Sequence, residues 1–200
     1  MDVTVVVGTY GEEHWAELAR ERAVPSVTCE AIHVHAETLA RARNRGLEQV
    51  ETEHVVFLDA DDELGSGYFD AMDTGSADLR VPAVEYVRGS RRHRPIMPRV
   101  AGHQHACSAE CLPEGNWMVI GTLAKADLVR EVGGFREFEW SEDWDLWLRC
   151  YLAGANIEAI PEAIYRAYVR RDSRNRAPGR DVRDRVHWEI HRANFPEEYQ

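Results

Sequence analysis

Residues 54–65, HVVFLDADDELG, join a run of four apolar side chains directly to a cluster of four acidic ones. A short apolar run of this kind is typical of a strand buried on both faces of a parallel sheet. Acidic side chains crowded at its end repel one another, so an opposing charge is expected beside them. In open α/β sheets, ligands bind beyond the carboxyl ends of the strands. The stretch therefore predicts an α/β fold with a binding site after this strand.

Segments that favour strands and helices alternate around this stretch. The β-branched run at residues 3–10, VTVVVGTY, predicts another buried strand, and residues 26–35 alternate like a further strand. Composition and spacing predict helices over 12–23 and 36–50, the first of them broken by Pro25. The resulting β-α-β-α-β order predicts a mostly parallel central sheet flanked by helices. Further along, the patterns predict strands at 79–87 and 157–169, a strand and short helix within 116–135, a long loop at 88–116, and helices at 141–155 and 180–195.

Composition favours one ordinary domain. The chain has 200 residues, 44% of them hydrophobic, and six tryptophans. No apolar run approaches the roughly 20 residues that a membrane span needs. Met1-Asp2 leads directly into a strand-like run without a signal-peptide pattern, so a cytoplasmic protein is expected. The net charge of −11 argues against generic nucleic-acid binding, because phosphate contacts need cations.

The basic residues are almost all arginines, since Lys125 is the single lysine. They gather at residues 88–99 and 166–185. Two interpretations stay open for these groups. They form a solvated surface, or they bind phosphates or an anionic acceptor, because a guanidinium makes paired contacts with such groups.

Four potential metal ligands lie close together in the sequence HQHACSAEC: His103, His105, Cys107 and Cys111. Histidine and cysteine are zinc ligands, but this spacing matches no common finger or ribbon pattern. In a cytoplasmic chain, scattered cysteines are expected to be reduced thiols. Whether these four residues bind a metal is left open.

The acidic cluster after the strand at 54–59 predicts a divalent cation. Asp59 and Asp61 bracket one alanine, and carboxylate oxygens suit Mg²⁺ or Mn²⁺, which can in turn hold a diphosphate. A calcium loop is disfavoured because Leu64 stands where such a loop requires glycine. A phosphatase with a nucleophilic aspartate and a solvated acidic turn are the other interpretations.

A second acidic pair, Glu142 and Asp143, begins the tryptophan-rich helix predicted at 141–155. Ser141 is a good candidate for the helix N-cap, and acidic residues in a first turn complement the helix dipole. A structural role therefore explains the pair. A carboxylate fixed at a helix start is also rigidly aimed, as a general base must be.

Together these features give the chain a family resemblance. Over roughly residues 3–170 it resembles a family-two glycosyltransferase of the GT-A fold. Four blocks stand in the family's order: VTVVVGTYGE at 3–12, LARARNRGLEQVETEHVVFLDADDEL at 39–64, LAKADLVREVGGFRE at 123–137 and SEDWDLWLRCYLAGANIEAIPEAIYRAYVRRDS at 141–173.

The resemblance implies a single GT-A-like (Rossmann-like) α/β domain at residues 1–170. Residues 171–200 are then an Arg-rich linker and a C-terminal helix that packs on the domain or extends from it. The implied reaction is an inverting, metal-assisted transfer of a sugar from a nucleoside-diphosphate donor, with a UDP-sugar expected, to an acceptor hydroxyl. Mn²⁺ or Mg²⁺ is the implied cofactor.

The resemblance also implies roles for individual residues. Asp143 would be the catalytic base, with Glu142 beside it in the acceptor pocket. Asp61 would bind the metal, and Asp59 would contact the ribose or the shell of the metal. The residues implied around the nucleotide are Thr9, Tyr10, Glu12, Arg43 and Asn44.

Two other functions remain possible for such a chain. One is a nucleotide-sugar-binding module that has lost transfer activity, and the other is a metal-dependent phosphatase. The sequence leaves open the donor base and sugar, the third metal ligand, the oligomeric state and the acceptor. A saccharide, a lipid carrier, a protein and a modified nucleobase all remain candidate acceptors.

Overall fold

The computed structural model describes residues 1–170 and 179–199. Most of the Arg-rich linker that the sequence predicts lies outside these residues. Within the described ranges, no helix is both long and apolar enough to cross a membrane.

One mixed sheet forms the centre of the molecule. Its first half contains β1 (Val3–Tyr10), β2 (Glu30–Ala36) and β3 (His54–Asp59), and β1 pairs in parallel with the other two. The remaining strands are β4 (Glu63–Leu64), β5 (Leu79–Arg88), β6 (Arg91–Arg92), β7 (Leu123–Lys125) and β8 (Ile157–Tyr168). The order is β2-β1-β3-β7-β5-β8-β4, with β6 on β5. The long pairings are parallel and the antiparallel ones span two or three residues, so the prediction of a mostly parallel α/β sheet is confirmed.

Helices cover the sheet and carry several of the site residues. They are α1 (His14–Leu18), α2 (Leu39–Leu47), α3 (Tyr68–Met72), α4 (Ala126–Glu131), α5 (Glu142–Leu152) and α6 (Arg180–Asn194). The predicted first helix is shorter than expected, because its second half winds into a π-helical turn at Ala19–Ala23. A 3₁₀ turn at Val24–Ser26 contains Pro25 and delays the start of β2. The predicted loop at 88–116 has little regular structure beyond β6 and a 3₁₀ turn at Ala109–Glu114.

Two glycines bring α2 close to β1. A Cβ on Gly46 would lie 2.3 Å from Cγ1 of Val6, and one on Gly8 would lie 2.9 Å from Cγ of Arg43. Neither space accepts a methyl group without movement of its neighbour. The close approach carries the Arg43 side chain across the end of β1 toward the end of β3.

The C-terminal helix α6 packs on α5. Val186 and Ile190 are fully buried, and the His187 ring stacks on Trp144 with 4.5 Å between centroids. Asn194 donates a hydrogen bond of 2.9 Å to Asp145. The helix therefore lies against the domain and beside the start of α5.

Candidate active site

A cleft of about 1800 Å³ opens at the carboxyl ends of β1 and β3. This is the edge at which an α/β sheet is expected to bind its ligand. Both acidic groups singled out in the sequence reach the cleft, although they come from distant parts of the chain. Its lining includes Thr9, Tyr10, Arg43, Asp59, Asp61, Glu142 and Asp143.

The four acidic residues after β3 have different partners. Asp59 forms an ion pair of 2.7 Å with Arg43, and Glu63 forms one of 2.8 Å with Arg166. Asp62 is buried and accepts hydrogen bonds from the Tyr165 hydroxyl at 2.6 Å and from the backbone N–H of Tyr168 at 2.8 Å. Arg43 and Arg166 therefore offset part of the repulsion in the cluster, whereas burial and the charges of Asp61 and Asp59 raise the pKa of Asp62 well above its usual range.

Asp61 is the fourth residue of this cluster and lines the cleft. Arg22 donates a hydrogen bond of 2.9 Å to its backbone carbonyl, so the guanidinium fixes the main chain. Burial raises the pKa of the Asp61 carboxyl to about 6, and repulsion from Asp59 adds to the shift. The charges of Arg170 and Arg22 lower the pKa of Asp61 but do not cancel these effects, and a cation bound at the carboxylate would lower it further.

Arg43 connects the two acidic groups. Its Nη2 lies 2.7 Å from Asp59 and its Nη1 lies 2.9 Å from Glu142, while 2% of the residue is exposed. The guanidinium also lies 5.0 Å from the ring centroid of Phe135. Two carboxylates and an aromatic face around a planar cation suit arginine and not lysine. The arginine therefore fixes the start of α5 relative to the end of β3.

The start of α5 differs from the sequence expectation. Ser141 occupies the N-cap position, as predicted, but its backbone is left-handed, with φ of 58°, and its side chain caps no N–H group. The carboxylate of Asp143 instead accepts a bond of 2.8 Å from the N–H of Trp144. The left-handed turn redirects the chain so that Glu142 and Asp143 both face the cleft.

Asp143 is held from a second direction by Asn116. The amide of Asn116 donates a hydrogen bond of 3.1 Å to Oδ2 of Asp143. Burial and the neighbouring charge of Glu142 raise the pKa of Asp143 to about 6, while Arg43 and the two N–H donors act in the opposite direction. A carboxylate with this pKa is mostly ionised at neutral pH and is a stronger base than an exposed aspartate.

Asp145, the third acidic residue in this turn, is structural. Its exposed fraction is 0%, and Arg149 contacts its Oδ2 at 2.7 Å. Arg149 also donates to the carbonyls of Val132 and Gly134, which precede the helix. This network anchors α5 from the side away from the cleft.

Of the remaining site residues predicted from the sequence, some line the cleft and others lie outside it. Tyr10 is 38% exposed at the cleft, and the Thr9 hydroxyl lies at its edge, 3.0 Å from Nε2 of His33 and 3.1 Å from Nδ1 of His35. Glu12 lies outside the cleft lining, 3.4 Å from His14.

Asn44 also lies outside the cleft lining. Its amide is committed to the backbone of Phe135, donating to the carbonyl and accepting from the N–H at 2.8 Å each. The structure therefore gives Asn44 a positioning role for the segment before α5, and its implied position near the nucleotide stays a prediction.

Several lining residues carry no signal in the sequence patterns. Asn116 follows a long irregular loop, and Arg183, Asp184 and His187 come from α6. Their relevance depends on contacts between distant segments. One available signal was the position of Asn116 at the end of the long loop predicted at 88–116, directly before an apolar run, because loops on a rigid scaffold often carry binding residues.

A protein-family comparison decides the family. The model described as "Glycosyltransferase like family 2" matches residues 1–188. The chain belongs to this glycosyltransferase family. The family prediction is therefore confirmed, and the match extends into α6. A comparison of this chain with curated proteins found no match.

Solved structures of TarS from S. aureus share the fold. TarS 1-349 in complex with UDP-GlcNAc matches this glycosyltransferase-family chain with a TM-score of 0.70 at 17% identity, over 98% of this chain and 66% of the other. A structure titled simply TarS matches with a TM-score of 0.59 at 17% identity, over 98% of this chain and 44% of the other. TarS 1-349 in complex with UDP matches with a TM-score of 0.58 at 17% identity, over 98% of this chain and 72% of the other. The chain thus spans less than two thirds of the first TarS chain, and identity at this level establishes the GT-A-like fold alone.

Proposed function

We propose that the protein is an inverting glycosyltransferase that moves a sugar from a nucleoside-diphosphate donor to an acceptor hydroxyl. One observation carries the proposal: the carboxylates of Asp61 and Asp143, on separate elements, line the same cleft of about 1800 Å³. Family membership gives the class of reaction, and the cleft is large enough for a nucleotide sugar and part of an acceptor.

The proposed donor is a UDP-sugar. TarS, which shares the fold, was solved in complex with UDP-GlcNAc and with UDP. Tyr10 presents an exposed aromatic ring at the end of β1, suited to stack on a base, and Thr9 lies next to it. Asp59 keeps about a third of its side chain exposed beside its ion pair with Arg43, so an oxygen remains accessible to a ribose hydroxyl.

Asp61 and Asp59 would hold the Mn²⁺ or Mg²⁺ ion. The residues fit such a group, because Asp61 is a partly buried carboxylate with a raised pKa in a cluster of negative charge. These ions are usually held by one or two carboxylates, with waters and substrate phosphates completing the shell. When bound, the cation would stabilise the negative charge of the departing diphosphate.

Asp143 would be the general base. In an inverting transfer, the acceptor oxygen attacks the anomeric carbon in line with the departing diphosphate, and the base takes the acceptor proton as the new C–O bond forms. The Trp144 N–H and the Asn116 amide orient the carboxylate of Asp143. Glu142 is bound to Arg43, which limits it to orienting the acceptor and leaves Asp143 as the proton acceptor.

A thermal-shift panel tests the donor and the metal together. Nucleoside diphosphates and nucleotide sugars are compared with and without Mn²⁺, since a ligand that binds the folded state raises the melting temperature. We expect UDP and UDP-sugars to raise the melting temperature more than other nucleotides do, and to raise it more with Mn²⁺ than without. A larger rise in melting temperature with another nucleotide would assign a different base to the donor. No rise with any nucleotide would contradict the proposal.

Slow donor hydrolysis separates the enzyme from a binding module. A glycosyltransferase without acceptor is expected to release UDP and free sugar slowly, because water reaches the acceptor side. A binding module would give the thermal shift without hydrolysis. Release of inorganic phosphate without a free sugar would favour the phosphatase.

A further inference from the structure

A cluster of soft metal ligands lies in the loop between β6 and β7. In the described part of the chain, one group of three or more metal-ligating side chains has all its ligand atoms within 4.8 Å of one another, and its members are His103, Cys107 and Cys111. We propose that this loop cluster binds a Zn²⁺ ion that holds the loop in place beside the cleft. The site is separate from Asp59 and Asp61, and its ligand chemistry is different.

The ligand spacing fits a tetrahedral zinc ion. Nδ1 of His103 lies 3.7 Å from Sγ of Cys107. With Zn–N near 2.0–2.1 Å and Zn–S near 2.3 Å, tetrahedral angles place these two atoms about 3.6 Å apart. Thiolate and imidazole ligands favour zinc, whereas the carboxylates of the acidic cluster favour Mg²⁺ or Mn²⁺.

The surroundings of the ligands support the same assignment. Nε2 of His103 lies 3.1 Å from the carboxylate of Glu114, so a proton on Nε2 leaves Nδ1 free to bind a metal. Metal-bound histidines usually donate their second ring N–H to a carboxylate or carbonyl in this way. The backbone N–H of Val100 also donates to Sγ of Cys107 at 3.3 Å, a contact that fixes the position of the sulfur.

His105 is the nearby candidate for a fourth ligand. His105 lies on the same loop, is exposed, and has its ring centroid 5.0 Å from that of His103. A structural zinc site binds four protein ligands in most proteins. His105 is not among the side chains whose ligand atoms lie within 4.8 Å of one another, so its ring would have to turn toward the ion to complete the four ligands.

The loop cluster has a direct connection to the cleft. Val100, Ala106 and Glu114 line the cleft, and Asn116, five residues beyond Cys111, donates its hydrogen bond to Asp143. The segment between β6 and β7 has little regular structure to hold it. A zinc ion would supply that rigidity, as structural zinc sites do in segments with small cores.

Metal analysis of the purified full chain tests the proposal. Protein prepared under reducing conditions without chelator is analysed by inductively coupled plasma mass spectrometry, and we expect one zinc ion per chain. Cys107→Ser and Cys111→Ser should each lose most of the zinc. Cys29→Ser is the matched control, because Cys29 is a free, half-buried cysteine outside the loop cluster, and it should retain the zinc.

Cobalt substitution provides a measurement on the unmodified chain. Co²⁺ added to metal-free protein should give thiolate charge-transfer absorption, which Zn²⁺ then displaces. Absence of zinc from the native protein together with absence of this absorption would overturn the proposal. A disulfide between Cys107 and Cys111 in protein purified under reducing conditions would also overturn it. So would a loss of zinc in Cys29→Ser equal to the loss in the two loop-cluster variants. These measurements do not depend on transferase activity, so their failure is separate from failure of the proposed function.

Discussion

Arg43 on α2 and Glu142 on α5, 99 residues apart in the sequence, are joined by a contact of 2.9 Å between Nη1 and Oε1. The same guanidinium contacts Asp59 at the end of β3. One buried cation thus links the strand that carries the acidic cluster to the helix that carries the proposed base. The geometry of the cleft depends on this link.

Replacement of Arg43 should be costly. Arg43→Met removes the ion pair of 2.9 Å with Glu142, whose side chain is 9% exposed. Removing one partner of a buried ion pair costs about 3–5 kcal/mol, and the partial exposure of Asp59 places the expectation near the lower end. Chemical denaturation with urea measures the free energy of unfolding.

The matched control lies on the same helix. Arg45 pairs with Glu37 at 3.1 Å, and both side chains are about half exposed. Arg45→Met should therefore cost about 0–1 kcal/mol. Equal losses in the two variants would mean that the buried link contributes no more than a surface pair.

Asp143→Asn tests the base. A general base typically contributes about 10²–10⁴-fold to the rate, so turnover should fall by that factor while donor binding persists. Activity with a UDP-sugar and donor affinity are measured separately. An unchanged turnover would contradict the assignment of Asp143.

Asp145→Asn is the structural comparison, two residues further along α5. Its carboxylate accepts hydrogen bonds from Arg149 and Asn194 inside the protein. The variant should lower the melting temperature clearly, whereas Asp143→Asn should not. If the two variants lost stability equally, the division between a catalytic and a structural aspartate would fail.

Local patterns in the sequence predicted the parallel strands and the acidic groups that meet in the cleft. The end of a buried strand predicted the position of Asp59 and Asp61, and the start of an amphipathic helix predicted that of Asp143. The structural role of Asn44 could not be predicted, because its amide binds the backbone of Phe135, 91 residues away, and no local pattern records such a partner. Ser141 stands at the N-cap position but makes no capping hydrogen bond, because its backbone is left-handed and not extended as in a usual N-cap. The contribution of α6 to the cleft could not be predicted from local patterns either, because the helix reaches the site by packing on α5.

Asp61 and Asp62 form a second matched pair. Asp61→Asn should abolish the Mn²⁺-dependent part of the thermal shift with UDP, because an amide is a weak ligand for such a cation. The free protein should be at least as stable as before, since a carboxylate buried beside other acidic groups is removed. Asp62→Asn disturbs the hydrogen bonds from Tyr165 and Tyr168, so it should lower the melting temperature and keep the Mn²⁺-dependent shift. The reverse pattern would assign the metal to Asp62.

The pH dependence of kcat/KM should follow ionisation of Asp143. Its pKa is raised to about 6, so the rate should fall as the pH decreases through that value, because the protonated carboxyl accepts no proton. The charged groups that face it are Glu142 and Arg43. His187 of α6 lies beside neighbouring Trp144, and burial lowers the pKa of its imidazole.

Asn116→Ala should shift this acid limb to higher pH. The Asn116 amide stabilises the ionised form of Asp143, so its removal raises the pKa of the carboxyl further and favours protonation. The midpoint of the acid limb in kcat/KM is the measurement, with Asn156→Ala as the control because its amide contacts Asp78 outside the cleft lining. The control should keep the midpoint of the unmodified protein. A midpoint that stays fixed or moves to lower pH in Asn116→Ala would show that the rate follows a different group, and Asp143 would no longer be the base.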